Sequence, residues 1–221
     1  QRTEFVGMLK SLLDGLMPVS LEVDVVDCSG PGFAGHTDQR APALAMLELS
    51  SIARGMHCTD AMLKVAAVKL VMSRTICSGK FMVLVAGEQA EVEASLAEGL
   101  AVAKECAIDH VMIPNVHPDV YPALSSTNLI RNRAAMGILE SFSVASLIEA
   151  IDFVAKEATV EMVQCRLAMA LGGKAYLVFT GDVDAVTYSL EAGASVVERR
   201  GLLVNKVVIP HPRKELFDTL I

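Results

Sequence analysis

Apolar and polar positions along this chain follow two periods, and the periods change in an order that occurs twice. In residues 1–17, Phe5, Met8, Leu9, Leu12, Leu13 and Leu16 recur at three- and four-residue spacing while Glu4, Lys10 and Asp14 lie largely off that stripe. This predicts a short amphipathic helix, ended by Pro18. Val19, Leu21, Val23 and Val25 then alternate with Ser20, Glu22 and Asp24, the pattern of a half-buried strand. Residues 28–35 are a glycine-rich linker, continued by polar residues 36–40.

From residue 43 the pattern is denser. Residues 43–49 predict a strand, and Ser50 or Ser51 can N-cap a helix running to about Ala66. Its inward stripe is expected to be Ile52, Met56, Thr59, Leu63 and Ala66. Residues 68–72 and 81–86 predict two more strands. Residues 88–106 predict a second helix with Val92, Leu96, Gly99 and Ala103 facing in, and 110–113 a last strand stopped by Pro114. Two helices on one face of a four-stranded antiparallel sheet bury these stripes.

The same order returns in residues 135–212. Leu47, Glu48, Ser51, Ala53, Asp60 and Lys64 match Leu139, Glu140, Ser143, Ala145, Asp152 and Lys156 at an offset of 92. Gly79, Lys80, Gly87, Val92, Leu96 and Gly99 match Gly173, Lys174, Gly181, Val186, Leu190 and Gly193 at 94, and Ile113-Pro114 matches Ile209-Pro210 at 96. The shifts place small insertions in loops, as in a duplicated fold. The expected architecture is α/β in the α+β sense: a tandem repeat of two βαββαβ domains. Their expected limits are 42–124 and 134–221, joined by a linker at 125–133 and preceded by an extension at 1–41. That extension is expected to dock on its own or a neighbouring subunit; the alternative is a helix that recruits another protein.

Composition narrows the classes. The formal net charge is −7, and the basic residues cluster only at Arg199-Arg200 and Arg213-Lys214, which argues against nucleic acid as a partner. No apolar run approaches the ~18 residues of a membrane span, and residues 1–17 are amphipathic rather than signal-like. The chain begins without an initiator Met, so residues upstream are expected to be missing or removed. The five cysteines are odd in number and widely spaced, with no Cys-x-x-Cys, which points to a reducing cytoplasm.

The candidate chemistry lies in two related loops, 74–80 (Arg-Thr-Ile-Cys-Ser-Gly-Lys) and 166–174 (Arg-Leu-Ala-Met-Ala-Leu-Gly-Gly-Lys). Neither is a phosphate loop: the required first Gly is Arg74 or Ala168, and the residue after Lys is Phe81 or Ala175. His57 and Cys58 are adjacent and point about 100° apart on a helix, so they form no thiol–imidazole pair. Cys58 matches Ala150 and is read as a packing residue, as are Cys106 and Cys165; Cys28 falls in the linker, and His117 and His211 are given no chemistry. No nucleophile–base or paired-carboxylate arrangement is evident, so no enzyme is expected. Cys77 stands apart because it sits among small and polar residues where a thiolate is accessible. One cysteine per chain builds no metal site, whereas a residue near an n-fold axis is repeated n times around it. An unliganded loop cysteine is the commoner outcome, and chemistry alone leaves both open.

The stretches 45–56 (Ala-Met-Leu-Glu-Leu-Ser-Ser-Ile-Ala-Arg-Gly-Met), 60–66, 74–80, 201–204 and 208–210 resemble bacterial microcompartment shell proteins. The likeness is to the tandem-domain, trimer-forming kind known from propanediol-utilisation compartments, and it covers about 43–221. It implies a homotrimer forming a pseudohexagonal tile with a central pore, in the microcompartment shell within the cytoplasm. It also implies a [4Fe–4S] cluster, one per trimer, held by Cys77 of three chains. Thr75, Ile76, Ser78 and Gly79, with Ala168, Met169, Ala170, Leu171 and Gly172 of the second copy, would line the pore. Lys64 and Lys156 would lie at tile edges. Electron transfer, or passage of the cluster, is the implied task, and other shell proteins and a lumenal redox enzyme are the implied partners. The alternatives are a metabolite pore without a cluster and a cytosolic small-molecule-binding regulator. Two departures stand out. Ser78 occupies the place where the family loop often has Pro, and the second copy ends Pro210-His211-Pro212-Arg213 where shell domains often end Pro-Arg-Pro-His.

Overall fold

A computed structural model describes residues 41–125, 130–168, 172–218 and 220. The expected helix, strand and linker of residues 1–40 lie outside the described residues. The first repeat opens with β1 (Ala43–Leu49). Helix α1 (Ile52–Val65) follows, and the extended Ser51 caps it by accepting the Arg54 N–H on its hydroxyl. Then come β2 (Lys69–Ile76), a single tight turn at Cys77–Gly79, and β3 (Lys80–Gly87). Helix α2 (Gln89–Ala103) and β4 (Ala107–Ile113) complete the unit. A short helix α3 (Val120–Ser125) lies where the sequence suggested the end of the domain and the start of a linker. Val120 and Ala123 are buried in the apolar cluster that both repeats share, and the Tyr121 hydroxyl ties the helix back to the first unit by donating to the Ala41 carbonyl at 2.8 Å.

The second repeat runs β5 (Ala135–Ser141), α4 (Val144–Glu157), β6 (Glu161–Leu167), β7 (Ala175–Gly181), α5 (Val183–Arg199) and β8 (Leu203–Pro210), followed by α6 (Lys214–Asp218). Ser143 caps α4 as Ser51 caps α1. The antiparallel sheets have the orders β2-β3-β1-β4 and β6-β7-β5-β8, so the strand that opens each repeat sits inside its sheet.

All seven residues of β1 are buried, because both faces of the first sheet are covered. Ala43, Ala45, Leu47 and Leu49 pack with Phe81, Val83 and Val85 against Cys58 and Met62 of α1 and Val92, Leu96 and Ala103 of α2. On the opposite face, Leu44, Met46, Met82, Leu84, Val111 and Ile113 join one apolar cluster with Val144, Ile148 and Ile151 of α4. The first sheet therefore packs its own helices on one side and the second repeat's first helix on the other.

The stripe of α1 differs from the sequence expectation. Ile52, Met56 and Leu63 are 38%, 59% and 39% exposed, and the buried residues are Gly55, Cys58 and Met62. The cause is close approach: a Cβ at Gly55 would lie 2.3 Å from Phe81 Cδ1, so only glycine lets the helix seat on the sheet. The larger apolar stripe is thereby turned outward. Cys58 is a buried packing residue, and its repeat counterpart Ala150 is equally buried.

Candidate functional site

Strands β2 and β3 pair as far as Ile76 opposite Lys80, which confines the connection to Cys77, Ser78 and Gly79. Arg74, Thr75 and Ile76 therefore belong to the strand rather than to a loop. The chain reverses over two consecutive left-handed residues, Ser78 (φ 66°) and Gly79 (φ 71°). Glycine takes this conformation freely, while for an L-residue such as serine it costs roughly 1–2 kcal/mol. Proline is fixed near φ −65° and has no access to it. Ser78, where the resemblance leads one to expect proline, thus has a backbone that proline cannot adopt.

The corresponding loop of the second repeat comes to the same place. The Cys77 N–H donates to the Ala168 carbonyl at 2.8 Å, and a Cβ at Gly173 would lie 3.8 Å from Ser78 Oγ. Ala168 (φ 51°), Gly172 (φ 61°) and Gly173 (φ 87°) are left-handed too. Met169, Ala170 and Leu171 lie outside the described residues. Of the other residues expected to line a pore, Thr75, Ser78, Gly79 and Gly172 are exposed and Cys77 is partly exposed. Ile76 and Ala168 have buried side chains in the cluster between the repeats, so only their backbone borders the turns.

Electrostatics separate the cysteines near the turns. Cys165 is fully buried beside Arg74 and Arg166; burial pushes its thiol up to about 12, against the smaller lowering by the two guanidiniums. It is a protonated, inert filler. Burial also lowers the half-buried Arg74 guanidinium, opposed by its proximity to Cys165. Among the described residues no group of three or more His, Cys, Asp and Glu gathers as a metal site, so one chain offers a soft metal a single thiolate, Cys77, at this locus.

Both Gly-Lys lysines have partners that the sequence reading did not assign. Lys80 donates to Glu48 Oε1 at 2.9 Å and Lys174 to Glu140 Oε1 at 2.7 Å, so each ion pair ties the strand leaving the turn to the strand that opens the repeat. The signal was present: Glu48 and Glu140 recur at the repeat offset, as do the lysines. Lys64 projects from the open face of α1, with the exposed Asp60 at 2.6 Å. Lys156 lies where the repeats meet. Its partner Asp152 is buried and also accepts the His117 N–H at 2.7 Å.

A family model described as BMC domain matches residues 43–116 and again 135–212. The chain is 39% identical over 179 residues to the bacterial microcompartment shell protein PduT of Citrobacter freundii, covering 81% of this chain and 97% of that protein. It is 27% identical over 194 residues to the carboxysome assembly protein CcmO of Synechococcus elongatus, covering 82% and 70% respectively. Among solved structures, a microcompartments protein from Desulfitobacterium hafniense DCB matches with a TM-score of 0.74 and 42% identity, over 79% of this chain and 97% of that one.

Proposed function

This chain belongs to the BMC-domain family and is a structural subunit of a bacterial microcompartment shell, and on that premise we propose that three copies close a ring around the Cys77 turns, whose thiolates hold one [4Fe–4S] cluster. The observation that carries this reading is the hydrogen bond from the Cys77 N–H to the Ala168 carbonyl, which brings the equivalent turns of both repeats together.

The ring itself is supported by two unpaired surfaces. Within the chain, Val144 and Ile148 of α4 share a buried cluster with Met46 and Val111 of the first sheet. Of their repeat equivalents, Ile52 and Met56 on α1 and Val207 on the second sheet are exposed, Val207 40% against 5% for Val111, while Ile138 is partly buried against the cluster around Phe217. One chain thus presents both halves of a junction it already contains, on opposite repeats. A second copy completes it, head to tail, and such heterologous contacts close into rings. Repetition of the internal junction then alternates three Cys77 turns with three cysteine-free turns around one axis.

The donor set fits the cluster. Soft thiolates are the ordinary ligands of iron–sulfur clusters, and the partly exposed Cys77 presents one per chain, three per ring. When bound, the cluster supplies one-electron transfer. The chain's own residues shape the site: the bond to Ala168 fixes the Cys77 backbone, the left-handed Ser78 and Gly79 reverse the strand immediately after the thiol, and the Lys80–Glu48 pair anchors the far side of the turn. The task is passage of electrons, or of the cluster, across the shell, to or from a redox enzyme in the lumen. Lys64 and Lys156, whose side chains stay 74% and 45% exposed, reach outward to serve contacts with other shell proteins at tile edges.

The test is anaerobic purification, with mass, iron and acid-labile sulfide measured together. The expected result is a trimer with four irons, absorbing near ~400 nm, and a colourless trimer from Cys77→Ala. A colourless wild-type trimer without iron sinks the cluster and leaves a metabolite pore. A wild type that stays monomeric or dimeric sinks the ring.

A further inference from the structure

Arg74 lies on the face of the first sheet that the second repeat covers: it pairs in register with Met82, a member of the apolar cluster between the repeats. There it sits half-buried beside the buried thiol of Cys165, and no described group accepts from its buried Nε–H. A thiol is a weak acceptor, so the cation gains little from this neighbour. The repeat equivalents carry different chemistry. Arg166, matched to Arg74 at the offset of 92, is exposed and pairs in register with Tyr176 on the outer face of the second sheet. Ser73 and Thr59 stand where the second repeat has Cys165 and Ile151. Cys165 and Ile151 are buried at the internal junction, whereas Ser73 and Thr59 are only partly buried.

The two hydroxyls are ordered by a relay. Thr59 Oγ1 donates to the Gly55 carbonyl at 2.9 Å, which uses its single proton. In the 3.0 Å bond between Thr59 Oγ1 and Ser73 Oγ, Ser73 is therefore the donor. With its own proton committed, Ser73 Oγ has only lone pairs left to offer. What completes it is a donor, and a guanidinium is nothing but a donor.

We propose that Arg166 of one copy donates to Ser73 Oγ of the next at each junction between copies. The proposal rests on the ring described above. Where the internal junction is repeated between copies, Arg166 arrives beside Ser73 as Arg74 arrives beside Cys165, and the cation meets a hydroxyl in place of a thiol. The contact also selects the order of domains. A second repeat facing another second repeat would set Arg166 against Cys165 and Ile151, which hold no hydroxyl. A first repeat facing another first repeat has no free cation here, since Arg74 is already covered by its own chain. Unlike repeats alone bring the donor to the relay. Ser73 is on β2, the strand that leads into the Cys77 turn, so each bond is made on the strand that carries the thiol to the axis.

Exchange of subunits between donor-labelled and acceptor-labelled trimers, followed by energy transfer, reads how fast junctions open at any affinity. Full-length wild type, Ser73→Ala, Arg166→Gln and the double variant are compared. Each single substitution is expected to speed exchange at least ~10-fold, as for loss of a hydrogen bond to a charged group. The double variant is expected to exchange no faster than the faster single, the signature of one shared bond, and the cycle cancels the Thr59 bond that Ser73→Ala also removes. Circular dichroism confirms that all four chains are folded. A wild type that forms no trimer removes the ring and this contact together. A wild-type trimer in which the single substitutions leave exchange unchanged, or add independently in the double variant, overturns the contact and leaves the ring standing.

Discussion

Met56→Glu is the sharpest probe of ring closure. Met56 is 59% exposed in the single chain, while its repeat equivalent Ile148 is fully buried against the first sheet. If α1 of one copy seats on the second sheet of another as α4 seats on the first, Met56 loses that exposure. Full burial of such a side chain contributes about 1.5–3 kcal/mol, so the exposed part of Met56 accounts for roughly 1–2 kcal/mol per junction. A glutamate there forfeits this and adds several kcal/mol of carboxylate desolvation. A total of at least ~4 kcal/mol weakens each junction about 1,000-fold. Since Met56 touches no core in the isolated chain, the fold itself should shift by no more than about 0.5 kcal/mol. Sedimentation velocity or mass photometry from nanomolar to micromolar protein reads the trimer fraction, and circular dichroism checks the fold. A Met56→Glu protein that melts like wild type and is trimeric over the same concentrations refutes the reasoning, because α1 would then not be at the junction.

Ser78→Gly removes roughly 1–2 kcal/mol of left-handed strain but adds up to ~1 kcal/mol of unfolded-state freedom, so denaturant melts should show it neutral to ~2 kcal/mol more stable. Ser78→Pro must rebuild the turn and should cost about 1–3 kcal/mol in the same melts; an unchanged midpoint would contradict the positive φ. Burial holds the Cys165 thiol up to about 12 from an ordinary 9.0, so the folded state keeps a proton that the unfolded chain gives up first. That stability is complete below about pH 9 and is lost as pH rises toward 12; Cys165→Ala should flatten the decline in urea melts at pH 8, 9 and 10. Asp152→Ala strips the buried acceptor of the His117 N–H and the partner of Lys156, and should cost about 2–3 kcal/mol, against 0–1 for Asp60→Ala at the exposed equivalent pair. Equal effects of the two substitutions in urea would remove the distinction between a covered and an open junction.

What was legible in the sequence followed from periodicity and repetition. The βαββαβ order, the buried stripe of α2 and the packing role of Cys58 could be read because alternation and 3.6-residue spacing report one buried face at a time. Helix α1 defeated that logic because both of its faces are apolar. Gly55, Cys58 and Met62 form a thin inner stripe of mostly small side chains, and Ile52, Met56 and Leu63 a fatter outer one. Hydrophobicity alone favours the second; the steric fit of Gly55 under Phe81 decides for the first. The seven-residue stretch 74–80 also looked like a loop, because Arg74 and Thr75 are polar, yet β2 and β3 pair almost to its centre. The Glu48–Lys80 and Glu140–Lys174 pairs were missed for a different reason: each joins residues more than thirty positions apart, and no local period reports such a contact.

The duplication also makes the two kinds of junction chemically different, and this bears on why one turn alone has a cysteine. Inside the chain, Asp109 accepts from both Ser143 and Ser146 at the start of α4, and Arg200 bridges Asp109 to Glu149. The repeat equivalents of Asp109, Ser143, Ser146 and Glu149 are Asn205, Ser51, Arg54 and His57, a set without a carboxylate, and Arg200 falls in the two-residue insertion that the first repeat lacks. The internal junction is thus held by buried apolar surface together with charge-assisted bonds, and its two halves are tethered on one chain at high effective concentration. In the ring proposed above, a junction between copies would lack these carboxylate-centred bonds and would rest on apolar surface. The chain therefore enters any ring as a finished pair of unlike domains. Neighbouring turns around the axis then always come from different repeats, so a residue confined to the first repeat recurs every second turn. Six thiols around one axis would exceed what a single cluster can use, whereas three leave one iron open to exchange. Placing Cys77 in one repeat of a pre-joined pair is the economical way for a six-domain ring to present three.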